Sequence, residues 1–150
     1  MTGTVDISQK NSTPRRATAR SILRAPEDVV ESVKKNDLKK ADPLPTARAA
    51  AMLAAKKTPE LIPHCHPIAV TDIKVDFEFA SSAIEITCRV SARDRTGAEM
   101  EALLGASTAA LTIYDMIKAH CADATVEDMG LVEKSGGKSG HWTKEEERDE

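Results

Sequence analysis

The segment Leu61-Ile62-Pro63-His64-Cys65-His66-Pro67 sets two histidines around a cysteine and brackets the trio with prolines. In extended backbone His64 and His66 project to one side and Cys65 to the other. A catalytic zinc takes three protein ligands and keeps one position open. The remaining histidines, His120 and His141, form no ligand-spaced pair, so a metal here needs a third ligand from a distant segment. The same residues suit proton transfer or substrate contact at a rigid corner, or a purely structural histidine. Taken alone, the segment leaves these readings open.

A second set lies in Gly97–Cys121. Glu101, Thr108 and Asp115 recur every seven residues, which places them within ~40° of one another around an α-helix. Lys118 follows Asp115 by three positions, a normal spacing for a helical ion pair. It is either a solvated bridge or, since it falls within the apolar run Leu111–Ala119, a half-buried pair held at perturbed pKa. Glu101 and Asp115 are fourteen residues apart, or ~21 Å along one helix. They cannot act on the same bond. They can line the two ends of an elongated ligand, or belong to sites shared between subunits.

Residues 134–140, KSGGKSG, combine two lysines with three glycines. Such a loop can turn backbone N–H and ammonium groups toward phosphate, or serve as a linker. It is not a Walker A loop, because Val132 stands where that motif requires glycine. Lys40 and Arg48 add positive charge before the histidine corner. Together Lys40, Arg48, His66, Glu99, Glu101, Asp115, Lys118, Lys134 and Lys138 offer cations for phosphate and carboxylates for proton work. That mixture suits a nucleotide-sized anionic substrate.

The elements that must position these groups read as follows. Pro26-Glu27-Asp28 starts a helix, with proline at the first helical position and acids in the first turn. Lys39–Pro45 reads as a loop because of its two prolines, and Thr46 as the cap of a helix over residues 46–57. Period-two alternation makes strands of residues 71–79 and 83–93. They face Ile73, Val75, Phe77 and Phe79, and Ile84, Ile86, Cys88, Val90 and Ala92, toward a core. The short link Ala80–Ala83 joins the strands as an antiparallel hairpin. Gly97–Cys121 is the longest helix, and Val126–Val132 one more strand. The pattern is α+β, an antiparallel sheet with helices on one face. Residues 1–14 form an arm, 15–140 one domain, and 141–150 a charged, disordered tail.

The chain has 150 residues and a net charge of -3. Neither that balance nor the four aromatics (Phe77, Phe79, Tyr114, Trp142) fits nucleic-acid binding. No apolar run is long enough to span a membrane. Residues 1–24 are rich in Arg, Ser and Thr with one acid, Asp6; this faintly resembles a transit peptide but lacks the apolar stretch of a secretory signal. Cys65, Cys88 and Cys121, odd in number and without CxxC spacing, fit reduced thiols in cytoplasm.

Six blocks now stand in order: VDIS (5–8), TARAA (46–50), LIPHCHP (61–67), GAEMEAL (97–103), ALTIYDMIKA (110–119) and KSGGKSG (134–140). In order and spacing they resemble the signature blocks of the MoaC-type cyclic pyranopterin monophosphate synthases of molybdenum cofactor biosynthesis. The resemblance implies a ferredoxin-like fold, a homohexamer built from three dimers, and active sites at subunit interfaces. It implies a lyase that converts cyclised dihydro-GTP into cyclic pyranopterin monophosphate and releases pyrophosphate. No metal or redox cofactor is required for the rearrangement, although Mg²⁺ can accompany the triphosphate or pyrophosphate. Matched by motif, the catalytic set is Asp115, Lys118, His66 and Lys40. The substrate-binding set is His64, Cys65, His66, Glu99, Met100, Glu101, Arg48, Lys134 and Lys138. His64 departs from the pattern, since that place usually carries an apolar residue, and it is expected as a polar contact at the site edge. Competing readings are a non-catalytic nucleotide-binding regulatory module on the same fold and a zinc hydrolase using His64 and His66.

Overall fold

The computed structural model describes residues 2–145. Its central strand, β1 (Thr13–Arg24), falls where the sequence reading placed the end of an arm and an unassigned stretch. Ala17, Ala19, Ser21 and Leu23 alternate inward and are fully buried, while Arg16, Arg20 and Arg24 occupy the other face. Small and polar inward residues hide a period-two signal that larger apolar side chains would have advertised.

After β1 come α1 (Glu27–Lys35), α2 (Pro43–Lys56), the short α3 (Thr58–Leu61), β2 (Val70–Phe79), β3 (Ala83–Asp94), α4 (Glu99–Ile117), β4 (Thr125–Ser135) and β5 (Trp142–Thr143). The sheet order is β2-β3-β1-β4-β5, and every neighbouring pair is antiparallel. Leaving aside β5 and the subdivided first crossover, this is the β-α-β-β-α-β plan of the ferredoxin-like fold, α+β as expected.

Local chemistry explains where the elements start. Proline is tolerated in the first turn of a helix, where its missing N–H has no intrahelical partner. Pro43 and Pro45 therefore open α2, and the loop expected over 39–45 stops short of them. Asp42 caps this helix in place of Thr46: its Oδ1 accepts from the Leu44 N–H at 3.2 Å. Thr46 instead donates to the Asp42 carbonyl at 2.7 Å. α4 ends at Ile117, short of the Cys121 limit expected for it. The tail expected from residue 141 contributes β5, with Trp142 paired to Lys134 and Thr143 to Glu133; its last residues, 146–150, lie outside the described residues.

Helices α2 and α4 meet through small side chains. Ala47, Ala51, Ala54 and Ala55 are buried on α2, as are Ala102, Gly105, Ala106, Ala109 and Ala110 on α4. A β-carbon on Gly105 would lie 2.6 Å from the Cys88 sulfur and 3.5 Å from the Ala51 carbonyl oxygen. The absence of one side chain thus sets the approach of α4 to β3 and to α2. The buried Ser21 hydroxyl donates to the Ala106 carbonyl at 2.8 Å, tying the same helix turn to β1.

Gly105→Ala should therefore cost about 1–3 kcal/mol, the usual range for overpacking. Adding Cys88→Ala should recover part of the loss, because it removes the atom that the new methyl strikes. Urea denaturation of both single variants and the double variant checks this; strictly additive losses would show that the contact is not limiting.

Candidate functional site

The N-terminal end of α4 carries a dry carboxyl. Glu101 is 1 % exposed, and its Oε2 has no hydrogen-bond partner among the described residues. Its Oε1 accepts from the Cys65 thiol at 3.7 Å. Burial raises the carboxyl above its ordinary range. The thiol is pushed up to about 11, first by burial and then by the neighbouring Glu101 carboxylate. Cys65 is thus a neutral donor anchoring the histidine corner to α4, and not a thiolate nucleophile. A hollow of about 250 Å³ opens beside Glu101, between Lys56, Pro67 and Ile68.

The corner meets the N-terminal arm through His64. His64 Nδ1 donates to the Gly3 carbonyl at 3.0 Å, so this ring is occupied in holding the arm. His66 remains partly exposed. Asp6 is held below its ordinary range chiefly by the Ser8 N–H, with a smaller pull from His66.

Glu99 pairs with Lys134, at the end of β4, at 3.3 Å. A β-carbon on Gly97 would meet only the flexible end of the Glu99 side chain, which would have to shift from its present position. Met100 lies on the outer side of the same turn, 38 % exposed. Beyond Lys134 the chain turns through Gly136 (φ 103°) and Gly137 (φ 70°), left-handed conformations that favour glycine. Side chains there would strike the Pro14 carbonyl and the Arg15 guanidinium. The glycine run thus wraps the start of β1, and Lys138 is exposed on it. Arg15, whose Nε donates to the Asp94 carbonyl at 3.3 Å, is a cation at this end that the sequence reading missed. Its only signal was the basic pair Arg15-Arg16, inside a strand that had not been recognised.

The other end of α4 holds the second set. Lys118 Nζ is 2.6 Å from Asp115 Oδ1, with both side chains more than half exposed. Lys40 Nζ donates to the Asp115 carbonyl at 3.4 Å. The half-buried alternative for this pair does not hold within a single chain. The hydrogen bond and charge of Lys118 lower Asp115, and those of Asp115 raise Lys118. Glu101 and Asp115 also differ in burial despite their shared spacing, because Glu101 lies against Cys65 of the histidine corner and nothing in this chain covers Asp115 among the described residues. Arg48 joins neither set. Its Nε donates to the Val75 carbonyl at 3.2 Å, and its guanidinium lies 5.2 Å from the Phe77 ring centre, so it fastens α2 to β2.

One chain thus presents two half-sites. Cys65, His66, Glu99, Glu101 and Lys134 gather at one end of α4, and Lys40, Asp115 and Lys118 at the other, ~21 Å apart along an unbroken helix. The class the molecule defines is a ferredoxin-like α+β scaffold that carries a cation-rich glycine turn and an acid-bearing helix start side by side. The MoaC family model matches residues 4–137, and the chain belongs to that family. It is 49 % identical over 140 residues to cyclic pyranopterin monophosphate synthase 2 of Mycobacterium tuberculosis, covering 93 % of this chain and 84 % of the relative. The cyclic pyranopterin monophosphate synthases of Streptomyces coelicolor and Corynebacterium efficiens are 46 % and 47 % identical, over 93 % of this chain and 82 % and 90 % of their own lengths.

The raised Glu101 carboxyl has a stability consequence. Above 4.5, the folded chain retains a proton that the unfolded chain has released, so this group's contribution falls as pH rises toward the raised value. Glu101→Gln lacks that loss. Urea midpoints between pH 4.5 and 8 should therefore shift progressively in favour of the Gln variant; parallel profiles would mean that the carboxyl is solvated.

Proposed function

We propose that this chain is a cyclic pyranopterin monophosphate synthase, a lyase of molybdenum cofactor biosynthesis. Its substrate is the cyclised dihydro-GTP, and its products are cyclic pyranopterin monophosphate and pyrophosphate. The observation that carries the reading is the separation of two complementary half-sites on α4 in a chain of this family. Neither half alone holds a histidine, an acid pair and the Asp–Lys–Lys group, but the two halves of neighbouring chains do. The assembly we propose is a homohexamer of three dimers with each site completed across an interface. No helix of the described residues is long and apolar enough to cross a membrane, and we place the enzyme in the cytoplasm.

Asp115 and Lys118 act as the acid–base pair for ring opening and closure. A lysine raised by a carboxylate in water is a poor base at neutral pH. Closing the interface would desolvate it and bring further cations near, both of which lower its pKa. Lys40 is already in place as one such cation. His66 exchanges a proton with a leaving oxygen. Lys40, Lys134 and Lys138 hold the triphosphate and stabilise the charge that grows as pyrophosphate departs. Glu99 and Glu101 receive the N–H groups of the guanine-derived ring, with Met100, Cys65 and His64 at the edge. The rearrangement calls on no resident cofactor, although Mg²⁺ can accompany the triphosphate or pyrophosphate.

Purified protein given the cyclised dihydro-GTP, and separately GTP, should release pyrophosphate and the pterin product from the first alone, with or without chelator. Binding without product would favour a regulatory module, and loss on chelation a metal hydrolase. Lys118→Gln and Asp115→Asn should each lower turnover about 10²–10⁴-fold, the range of general acid–base catalysis, with unchanged thermal melts. Co-assembling His66→Ala and Lys118→Gln chains should restore part of the activity, because mixed interfaces contain some sites free of both changes. No recovery in mixed hexamers would mean that each site is built within one chain.

A further inference from the structure

Trp142 is the only tryptophan of the chain, and it stands outside every group discussed so far. Strand β5 places it directly opposite Lys134. Lys134 is in turn opposite Ala17, Ala17 opposite Val90, and Val90 opposite Ile73. Directly paired residues of neighbouring strands share a face of the sheet, so this row crosses all five strands on the side where the helices lie. Its first members are core. Its last two, Lys134 and Trp142, emerge from the core beside the start of α4, where Glu99 meets Lys134 at 3.3 Å.

The placement is fixed from several directions. The Lys144 N–H donates to the Val132 carbonyl at 2.9 Å, continuing the ladder past Trp142. On the opposite face His141 Nε2 lies 2.9 Å from Glu133 Oε1. The loop between the strands turns on left-handed Gly136, Gly137 and Gly140, which lets the chain reverse within a few residues. The indole nevertheless remains 40 % exposed. The other aromatics are engaged: Phe77 and Phe79 pack against the core, and the Tyr114 hydroxyl donates to the Ala122 carbonyl at 2.7 Å.

We propose that Trp142 is a substrate-binding residue whose indole face stacks on the flat heterocycle of the guanine-derived ligand, while Glu99 reads the N–H edge of that ring and Lys134 holds the phosphate charge of the same ligand. A planar heterocycle needs an apolar face as well as polar edges, and Trp142 is the exposed aromatic that the sheet register sets next to those polar groups. This deepens the synthase reading and rests on it.

Steady-state kinetics on the assembled protein test the assignment. Trp142→Ala should raise KM for the cyclised dihydro-GTP about tenfold, within the range one stacked base supplies, with a smaller fall in kcat. Trp142→Phe should restore most of the loss. Inorganic triphosphate, which has no ring, should inhibit wild type and Trp142→Ala equally. In wild type, indole emission should change on saturation with substrate. An unchanged KM in Trp142→Ala would overturn the inference. So would weaker triphosphate inhibition in that variant, since the strand would then merely support Lys134. A wild-type protein that turns over no substrate would instead overturn the synthase reading.

Discussion

The close approach of α4 to its surroundings is the constraint on which the rest of the molecule depends. With no side chain at Gly105 and alanines along both helices, α4 lies against α2 and over β1 and β3 at once. Ser21 then locks one turn of it to the central strand. Once this helix is fixed, so are its two ends. Its first turn is pressed under the histidine corner, where Glu101 loses its water, and the outer face of its last turn remains in solvent, where Asp115 and the following Lys118 keep theirs. A single packing decision therefore produces two electrostatic environments from similar residue types.

Those environments call for opposite treatments. The Glu101 carboxyl is raised by dehydration and gains from a neutral donor such as the Cys65 thiol. The Asp115–Lys118 pair is held fully ionised by hydration and mutual attraction, a resting arrangement unsuited to moving protons. In the proposed assembly the first end is preorganised within one chain, and the second becomes reactive only when another chain removes its water. Assembly and catalysis would then be coupled through the solvation of one ion pair.

Much of this was legible in the sequence, for reasons that can be traced to residues. Strands β2 and β3 were readable because Ile, Val and Phe alternate with charges, and Cys88 followed the same alternation into the core. β1 was not readable, because its inward face is made of Ala17, Ala19 and Ser21, which carry little hydrophobic signal. The two prolines that open α2 read as breakers from composition, whereas their position in the first turn makes them initiators. Chemistry and spacing single out Glu99, Glu101, Asp115, Lys118 and Lys134 as candidates. They could not show that Arg48 on α2 is tied to β2, that His64 holds the arm, or that Asp115 and Lys118 stand in water. These depend on contacts between segments far apart in the chain. Arg15 and Trp142 were obscured in the same way, each within a strand the patterns did not reveal.

The position of β1 has a further consequence during synthesis. This strand is the third in the sheet yet the earliest to be made, and its two edges await β3 and β4. Arg16 meets Ser91 on one side and Ser135 on the other, so the second edge stays open until nearly the whole domain has been translated. An unpaired strand edge is a template for aggregation, and long-range pairing of this kind is slow to form. The arginines at Arg16, Arg20 and Arg24, which contribute little to the core, place repelling charge along the strand throughout that interval. A strand of small inward residues and outward arginines, hard to recognise from hydrophobicity, is for the same reason a poor template for edge-to-edge aggregation while it waits for its neighbours.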